Sequence, residues 1–92
     1  MTETTVLDFK LSRTFEEYLS HMNAPEQQEM FAQMGVSIFY IGVNQADSTR
    51  ATVMFQGAEN VLYNIFTSSD TKPIVEASGH VYDGTVITRW LA

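Results

Sequence analysis

The chain has 92 residues, of which 45% are hydrophobic, and it contains no cysteine. This length predicts a single domain spanning the whole chain, residues 1–92, and the apolar content excludes a disordered polypeptide. Eleven acidic residues against five scattered basic ones give a net charge of −6, which excludes nucleic acids and anionic membrane surfaces as favourable partners.

A strand and a capped helix open the chain. Residues 4–11 alternate between apolar and polar side chains, which is the pattern of a half-buried strand. Thr14 and Glu17 then match a capping box, in which the two side chains satisfy backbone donors at the start of a helix. A first helix is therefore predicted to begin after Thr14.

The sequence Asn23-Ala24-Pro25 interrupts this first helix. Asn23 is expected to cap a second helix over residues 25–34, with Pro25 in the first turn, where its missing N–H is harmless. Gly35 is expected to end that second helix as a C-terminal cap.

Two strands, Val36–Val43 and Arg50–Gln56, are predicted on either side of the turn-like residues 44–49. The first strand is apolar on both faces, because alternation sends one set of side chains to each side: Val36, Ile38 and Tyr40 to one, and Phe39, Ile41 and Val43 to the other. The helices of the chain can cover one of these faces. A second copy of the protein is the expected cover for the other.

The remaining segment predicts two helical pieces and a strand. Gly57-Ala58 is expected to open a helix that runs to about Ser68, and Asp70 is typical of a cap for a further short turn of helix. The last segment, His80–Leu91, predicts a strand with a turn or bulge signal at Asp83-Gly84.

This β-α-β-β-α-β order predicts an α+β, ferredoxin-like domain, in which a four-stranded antiparallel sheet carries its helices on one face. With this order and the doubly apolar strand Val36–Val43, the chain resembles the dimeric α/β-barrel superfamily. In that superfamily two ferredoxin-like chains pack sheet against sheet, and each keeps a cavity between its sheet and its helices. The resemblance implies a homodimer formed through the sheet face.

Two segments, His21–Gln28 and Gly79–Trp90, resemble those of a family of short proteins of unknown function from marine cyanobacteria. This resemblance implies a source but no activity. Members of the barrel superfamily include cofactor-free monooxygenases, haem-dependent enzymes, small-molecule isomerases and ligand-sensing modules, and fold likeness alone does not choose between them.

The two histidines, His21 and His80, are the only side chains that ordinarily titrate near neutrality, so they are the first candidates for acid–base chemistry. His21 lies near the end of the first predicted helix, where a structural interaction with the helix end is the alternative. His80 begins the last strand, where it either contacts a ligand or makes a hydrogen bond of the strand start.

Aromatic and basic residues give further candidates for ligand contacts. Tyr82 shares a strand face with His80, and Tyr40 and Trp90 lie on strands of the same sheet, where they either line a pocket or fill the core or the dimer seam. Arg89 could hold a carboxylate, or form an ordinary ion pair.

No nucleotide-binding, haem-binding or serine-nucleophile motif is present, and two histidines without cysteine are few ligands for zinc. No cofactor and no metal site is predicted. The first ten residues lack a signal-peptide pattern, and no run approaches the ~18 apolar residues of a membrane helix. A soluble, cytoplasmic protein is expected.

Two functions fit these observations. The first is a non-catalytic, homodimeric binding or interaction module that holds a small organic ligand between sheet and helices. The second is a cofactor-free enzyme of the monooxygenase or isomerase kind, with His80 as base or hydrogen-bond donor and Tyr82 or Tyr40 orienting the substrate.

Overall fold

The chain forms a four-stranded antiparallel sheet that is covered on one face by four short helices. In the computed structural model, which describes residues 1–92, the elements follow one another as β1 (Thr2–Leu11), α1 (Phe15–Met22), α2 (Pro25–Gln33), β2 (Val36–Val43), β3 (Arg50–Ala58), α3 (Val61–Phe66), α4 (Thr71–Glu76) and β4 (His80–Leu91). The strands are ordered β2-β3-β1-β4 across the sheet. The α+β, ferredoxin-like fold predicted from the sequence is confirmed, with each helical crossover divided into two short helices.

The core lies between the sheet and the helices. Alternate side chains of the central strands β1 and β3 point inward, as their period of two requires. Eleven buried hydrophobic residues form one cluster: Leu7, Phe9, Leu11, Tyr18, Met22, Val36, Ala51, Val53, Phe55, Leu62 and Phe66. The longest helix, α2, has nine residues, and none of the helices has the length and apolarity that crossing a bilayer would require.

The other side of the sheet, which we call the open face, carries no helix. The strand register places Tyr40, Met54, Val6 and Thr88 in one row across β2, β3, β1 and β4. Trp90, further along β4, is 61% exposed and Tyr40 is 51% exposed. Large apolar side chains on this face are therefore in contact with solvent in the single chain.

The helix starts agree with the sequence at one place and differ at another. The Thr14 hydroxyl accepts the Glu17 N–H at 3.2 Å, and the Glu17 carboxylate accepts the Thr14 N–H at 3.3 Å, so the predicted capping box is confirmed. Asn23 does not cap α2. It ends α1 instead, donating its N–H to Leu19 O at 3.0 Å, and Ala24 occupies the position before Pro25.

The end of β3 also differs from the sequence expectation, because Gly57 and Ala58 continue the strand instead of opening a helix. Gly57 pairs with Glu3 on one side and with Val36 on the other, and these cross-strand hydrogen-bonded neighbours outweigh the local helix signal. The third helix begins later, at Val61, after Asn60 turns the chain with a φ of 72°.

The alternation predicted for β2 is wrong beyond Ile38. Ile38 pairs with Phe55 and Tyr40 pairs with Met54, so Phe39 is an extra residue without a partner. A bulge of this kind shifts the phase of every later side chain by one position. Ile41, opposite the buried Val53, therefore joins Ile38 on the helix side, and Tyr40 lies on the open face instead of sharing a side with Ile38.

The predicted irregularity in β4 is confirmed as a bulge. Asp8 pairs with Val86 and Lys10 with Val81, so four residues, 82–85, lie opposite the single residue Phe9. Gly84 makes this possible because its φ of 83° lies in the left-handed region that side chains disfavour.

Candidate ligand cavity

A cavity of about 170 Å³ lies between the inner face of the sheet and the helices. It is lined by 18 residues, 13 of them hydrophobic. Leu7 and Phe55 form its floor on β1 and β3, and Met30 and Met34 border it from α2 and the turn that follows. The methionine side chains are unbranched and adapt to irregular shapes, so this wall can accommodate different apolar occupants.

His80 is the cavity residue with the most distinctive environment. It is only 3% exposed, and its ring lies flat on Phe9, with the centroids 3.6 Å apart and an interplanar angle of 7°. The Phe66 ring is the second aromatic neighbour, at 5.7 Å. Gly79, with a φ of 99°, turns the chain into β4 so that His80 enters the sheet opposite Leu11 on the helix side.

The bulge in β4 supplies the hydrogen-bond partner of this imidazole. It brings the Thr85 hydroxyl to 2.8 Å from His80 Nε2 and to 2.7 Å from the carbonyl of Tyr82. Since a carbonyl can only accept, the single hydroxyl proton of Thr85 is donated to Tyr82 O. His80 Nε2 must then carry a proton and donate it to the Thr85 oxygen.

The second ring nitrogen, Nδ1, is left as an acceptor. It has no hydrogen-bond partner in the chain, whereas every side-chain nitrogen and oxygen that is fully buried has one. Nδ1 is therefore not completely buried, and His80 is one of the residues that line the cavity. Burial lowers the pKa of His80 to about 4, so the imidazole is neutral at pH 7.

Two of the other polar side chains in the wall are already engaged. The Ser78 hydroxyl donates to Val75 O at 2.6 Å, and the Thr71 hydroxyl donates to Ile65 O. His21 and Gln27, both half-buried, are the remaining polar residues apart from Tyr18, whose ring is in the core. The lining is thus mainly apolar, and His80 is its only buried residue with a ring nitrogen that lacks a hydrogen-bond partner in the chain.

The structure does not bring the five residues predicted for ligand contact into one site. Tyr82 is near His80, but its hydroxyl donates to Phe66 O at 2.7 Å and its ring stacks on Phe66 at 4.8 Å, outside the cavity wall. Tyr40 and Trp90 lie on the open face, on the two outer strands, which are separated by roughly 14 Å at the usual strand spacing.

Arg89 forms an ion pair, the alternative to ligand binding that the sequence left open, with Glu3 as a partner that was not predicted. Its Nε donates to Glu3 at 2.9 Å and its terminal nitrogen at 3.1 Å, and the guanidinium lies 4.1 Å above the Tyr63 ring. The Glu3 carboxylate, 3% exposed, also accepts the Asn60 N–H and the Thr5 hydroxyl. These contacts, with the Arg89 hydrogen bonds foremost, lower the pKa of Glu3 to about 2.

A signal for this pair was present in the alternation of β1. Residues 5, 7, 9 and 11 point inward, so the same period puts Glu3 inside, and a buried carboxylate requires a cation or several donors. Arg50, the first residue of β3, is also paired, with Asp8 at 2.8 Å. No group of three or more histidine and acidic side chains is arranged to hold a metal ion.

Comparison with solved structures shows the same fold in two proteins. One is a candidate antibiotic biosynthesis monooxygenase from Nitrosomonas europaea, with a TM-score of 0.60 and 10% identity over 99% of this chain and 89% of the other. The second is a candidate antibiotic biosynthesis monooxygenase from Deinococcus radiodurans, with a TM-score of 0.54 and 10% identity over 100% of this chain and 92% of the other.

No curated protein matches the chain in sequence. The family model described as Domain of unknown function (DUF3764) matches residues 2–92. Because this match covers nearly every residue, from the first residue of β1 to the last of the chain, the protein belongs to the DUF3764 family of domains of unknown function.

Proposed function

We propose that this protein is a small-molecule-binding module whose ligand occupies the cavity between the sheet and the helices. The observation that carries the proposal is the combination of a mainly apolar space of about 170 Å³ with the buried His80 on its wall, whose Nδ1 has no hydrogen-bond partner in the chain. Binding sites for small molecules typically combine an apolar lining with a few polar groups that orient the ligand.

The same geometry favours binding over catalysis. The enzymatic alternative requires His80 and an orienting tyrosine to converge on one substrate. The Tyr82 hydroxyl is committed to Phe66 O and Tyr40 lies on the opposite side of the sheet, so neither supports that role. The activity named for the two structural neighbours is not carried over, because a likeness at 10% identity concerns the fold alone.

A ligand titration with a matched pair of variants tests the binding proposal. Val75 lines the cavity and Val61 does not, and both are half-buried valines of the second helical region. Small neutral aromatic probes should raise the melting temperature of the wild-type protein and of Val61→Phe. They should have no effect on Val75→Phe, because the new ring fills the space. At a probe concentration of ten times Kd, the added stability is about 1.4 kcal/mol. An equal response of the two variants, or no response of the wild type, would contradict the proposal.

The open face supports association of two copies through their sheets. Its central row is uncharged, from Tyr40 to Thr88, and Trp90 and Val86 are more than half exposed beside it. A standard interface buries ~800 Å² of each partner, about the area of one face of a small sheet. The charged Asp8 and Arg50 on this side neutralise each other at 2.8 Å.

Sedimentation tests this association with two substitutions of similarly exposed residues. Trp90→Glu places a charge on the open face, whereas Ile74→Glu places one on α4, on the other side of the sheet, where Ile74 is 59% exposed. The wild type and Ile74→Glu should sediment as dimers at micromolar concentration, and Trp90→Glu as a monomer. A monomeric wild type would refute the dimer. The cytoplasmic location of the protein and its origin in a marine cyanobacterium stay predictions from the sequence.

A further inference from the structure

We propose that the cavity selects a small uncharged molecule that donates one hydrogen bond to Nδ1 of His80, and that a monocyclic phenol is the chemical class that fits. This inference rests on the proposed binding function and specifies its ligand. The proton positions around His80, the lack of charged side chains in the cavity wall and the size of the space support it.

The proton positions around His80 decide whether the ligand must supply a hydrogen-bond donor or an acceptor. Thr85 has one hydroxyl proton, which it donates in a hydrogen bond to the carbonyl of Tyr82 at 2.7 Å. The proton of the neutral imidazole is therefore on Nε2, where the Thr85 oxygen accepts it at 2.8 Å. The opposite tautomer would set two lone pairs against each other at this distance. Nδ1 consequently accepts, and the ligand has to donate.

The absence of charged side chains from the cavity wall excludes ionic ligands. No Lys, Arg, Asp or Glu side chain lines the cavity, and the only titratable residues in its wall are Tyr18, His21 and His80. A carboxylate or an ammonium group would lose its water without gaining a partner of opposite charge, which is strongly unfavourable. A neutral hydroxyl needs only one acceptor, and Nδ1 supplies it.

The size of the cavity limits the skeleton to about one ring. Apolar protein cavities of about 150 Å³ hold a benzene molecule, and this space is about 170 Å³. The walls include the Phe66 ring and the Met30 and Met34 side chains, which pack well against an aromatic ring. Phenol combines such a ring with one neutral donor.

Phenol, toluene and benzoate test the selection directly. Phenol and toluene have the same number of heavy atoms and differ in the donor, and benzoate carries a negative charge. Wild-type protein should bind phenol at least as tightly as toluene by calorimetric titration at pH 7, and benzoate should not bind measurably. His80→Phe should lower the ratio of phenol to toluene affinity by about tenfold, because the phenol proton then has no acceptor. Tyr82→Phe removes a hydroxyl outside the cavity and should leave the ratio unchanged.

A nitrogen NMR measurement on the unaltered protein covers the case in which His80→Phe does not fold. The ¹⁵N spectrum of the imidazoles should show His80 protonated at Nε2 and unprotonated at Nδ1, with Nδ1 shifting when phenol is added but not when toluene is added. An unchanged phenol-to-toluene ratio in His80→Phe, benzoate binding as tight as that of phenol, or a protonated Nδ1 would each overturn the inference while leaving ligand binding intact. If neither phenol nor toluene bound, the proposed function would fail as well.

Discussion

Lowering the pH from 7 to 4 should destabilise the protein through His80. Its imidazole has a pKa of about 4 in the folded chain, because burial disfavours the charged form, against 6.5 in an exposed histidine. The unfolded chain therefore takes up this proton first as the pH falls. The stability that the neutral histidine contributes is complete above pH 6.5 and is lost as the pH falls through about 4.

The size of this effect follows from the difference of about 2.5 between the two pKa values, which corresponds to roughly 3 kcal/mol. Among the cavity residues there is no carboxylate that could compensate a protonated His80. The effect is therefore a large part of the 5 to 15 kcal/mol that holds a typical domain folded, to order of magnitude.

Urea unfolding at a fixed protein concentration, repeated between pH 4 and pH 8, measures this loss. The wild type should lose about 3 kcal/mol more than His80→Phe over this interval, because phenylalanine cannot bind a proton. Val61→Phe is the control, because it changes a half-buried residue outside the cavity, removes no titratable group and should keep the pH dependence of the wild type. Parallel curves for the wild type and His80→Phe would refute the assignment of a buried neutral imidazole.

Three further substitutions test other contacts. Glu3→Gln should lower the free energy of unfolding by about 2 kcal/mol at pH 7 in urea unfolding. This loss is smaller than the Glu3 pKa of about 2 alone suggests, because the Arg89 side chain is 35% exposed and solvent screens the pair. The loss should shrink as the pH falls from about 5 to 2, where the carboxylate becomes protonated. A constant cost would contradict this origin. Thr85→Val should destabilise the protein by about 1 to 3 kcal/mol in the same assay, since His80 Nε2 loses its acceptor, and a neutral result would refute the hydrogen bond. Thr14→Ala should lower stability by about 1 kcal/mol, and an unchanged midpoint would argue against the cap.

The parts of the fold that the sequence predicts are those with local causes. The capping box at Thr14 and the alternation of β1 depend on neighbouring residues only, and both appear in the structure. The bulge at Phe39 depends on pairing with β3, a distant segment, and no local pattern announces it. Gly57 shows the same limit, because cross-strand pairing extends β3 over a residue that locally favours a helix start.

The features of the candidate site likewise divide into those with a local cause in the sequence and those that depend on distant residues. The chemical character of His80 and its place at the start of β4 follow from the sequence. Its partner Thr85 does not, since the contact exists only because the bulge folds residues 82–85 back on the strand. An ion pair of Arg89 was one of the two alternatives given by the sequence, but its partner Glu3 lies 86 positions away, too far for a local sequence pattern to connect them.

Both outer strands, β2 and β4, are interrupted, at Phe39 and at residues 82–85 respectively. An incoming strand needs a long regular series of free N–H and C=O groups to add to a sheet, and each interruption shortens that series. Growth of fibrils by edge-to-edge addition is thereby discouraged at both margins. A protein with such interrupted edge strands can expose apolar side chains on one face of its sheet and still avoid open-ended polymerisation.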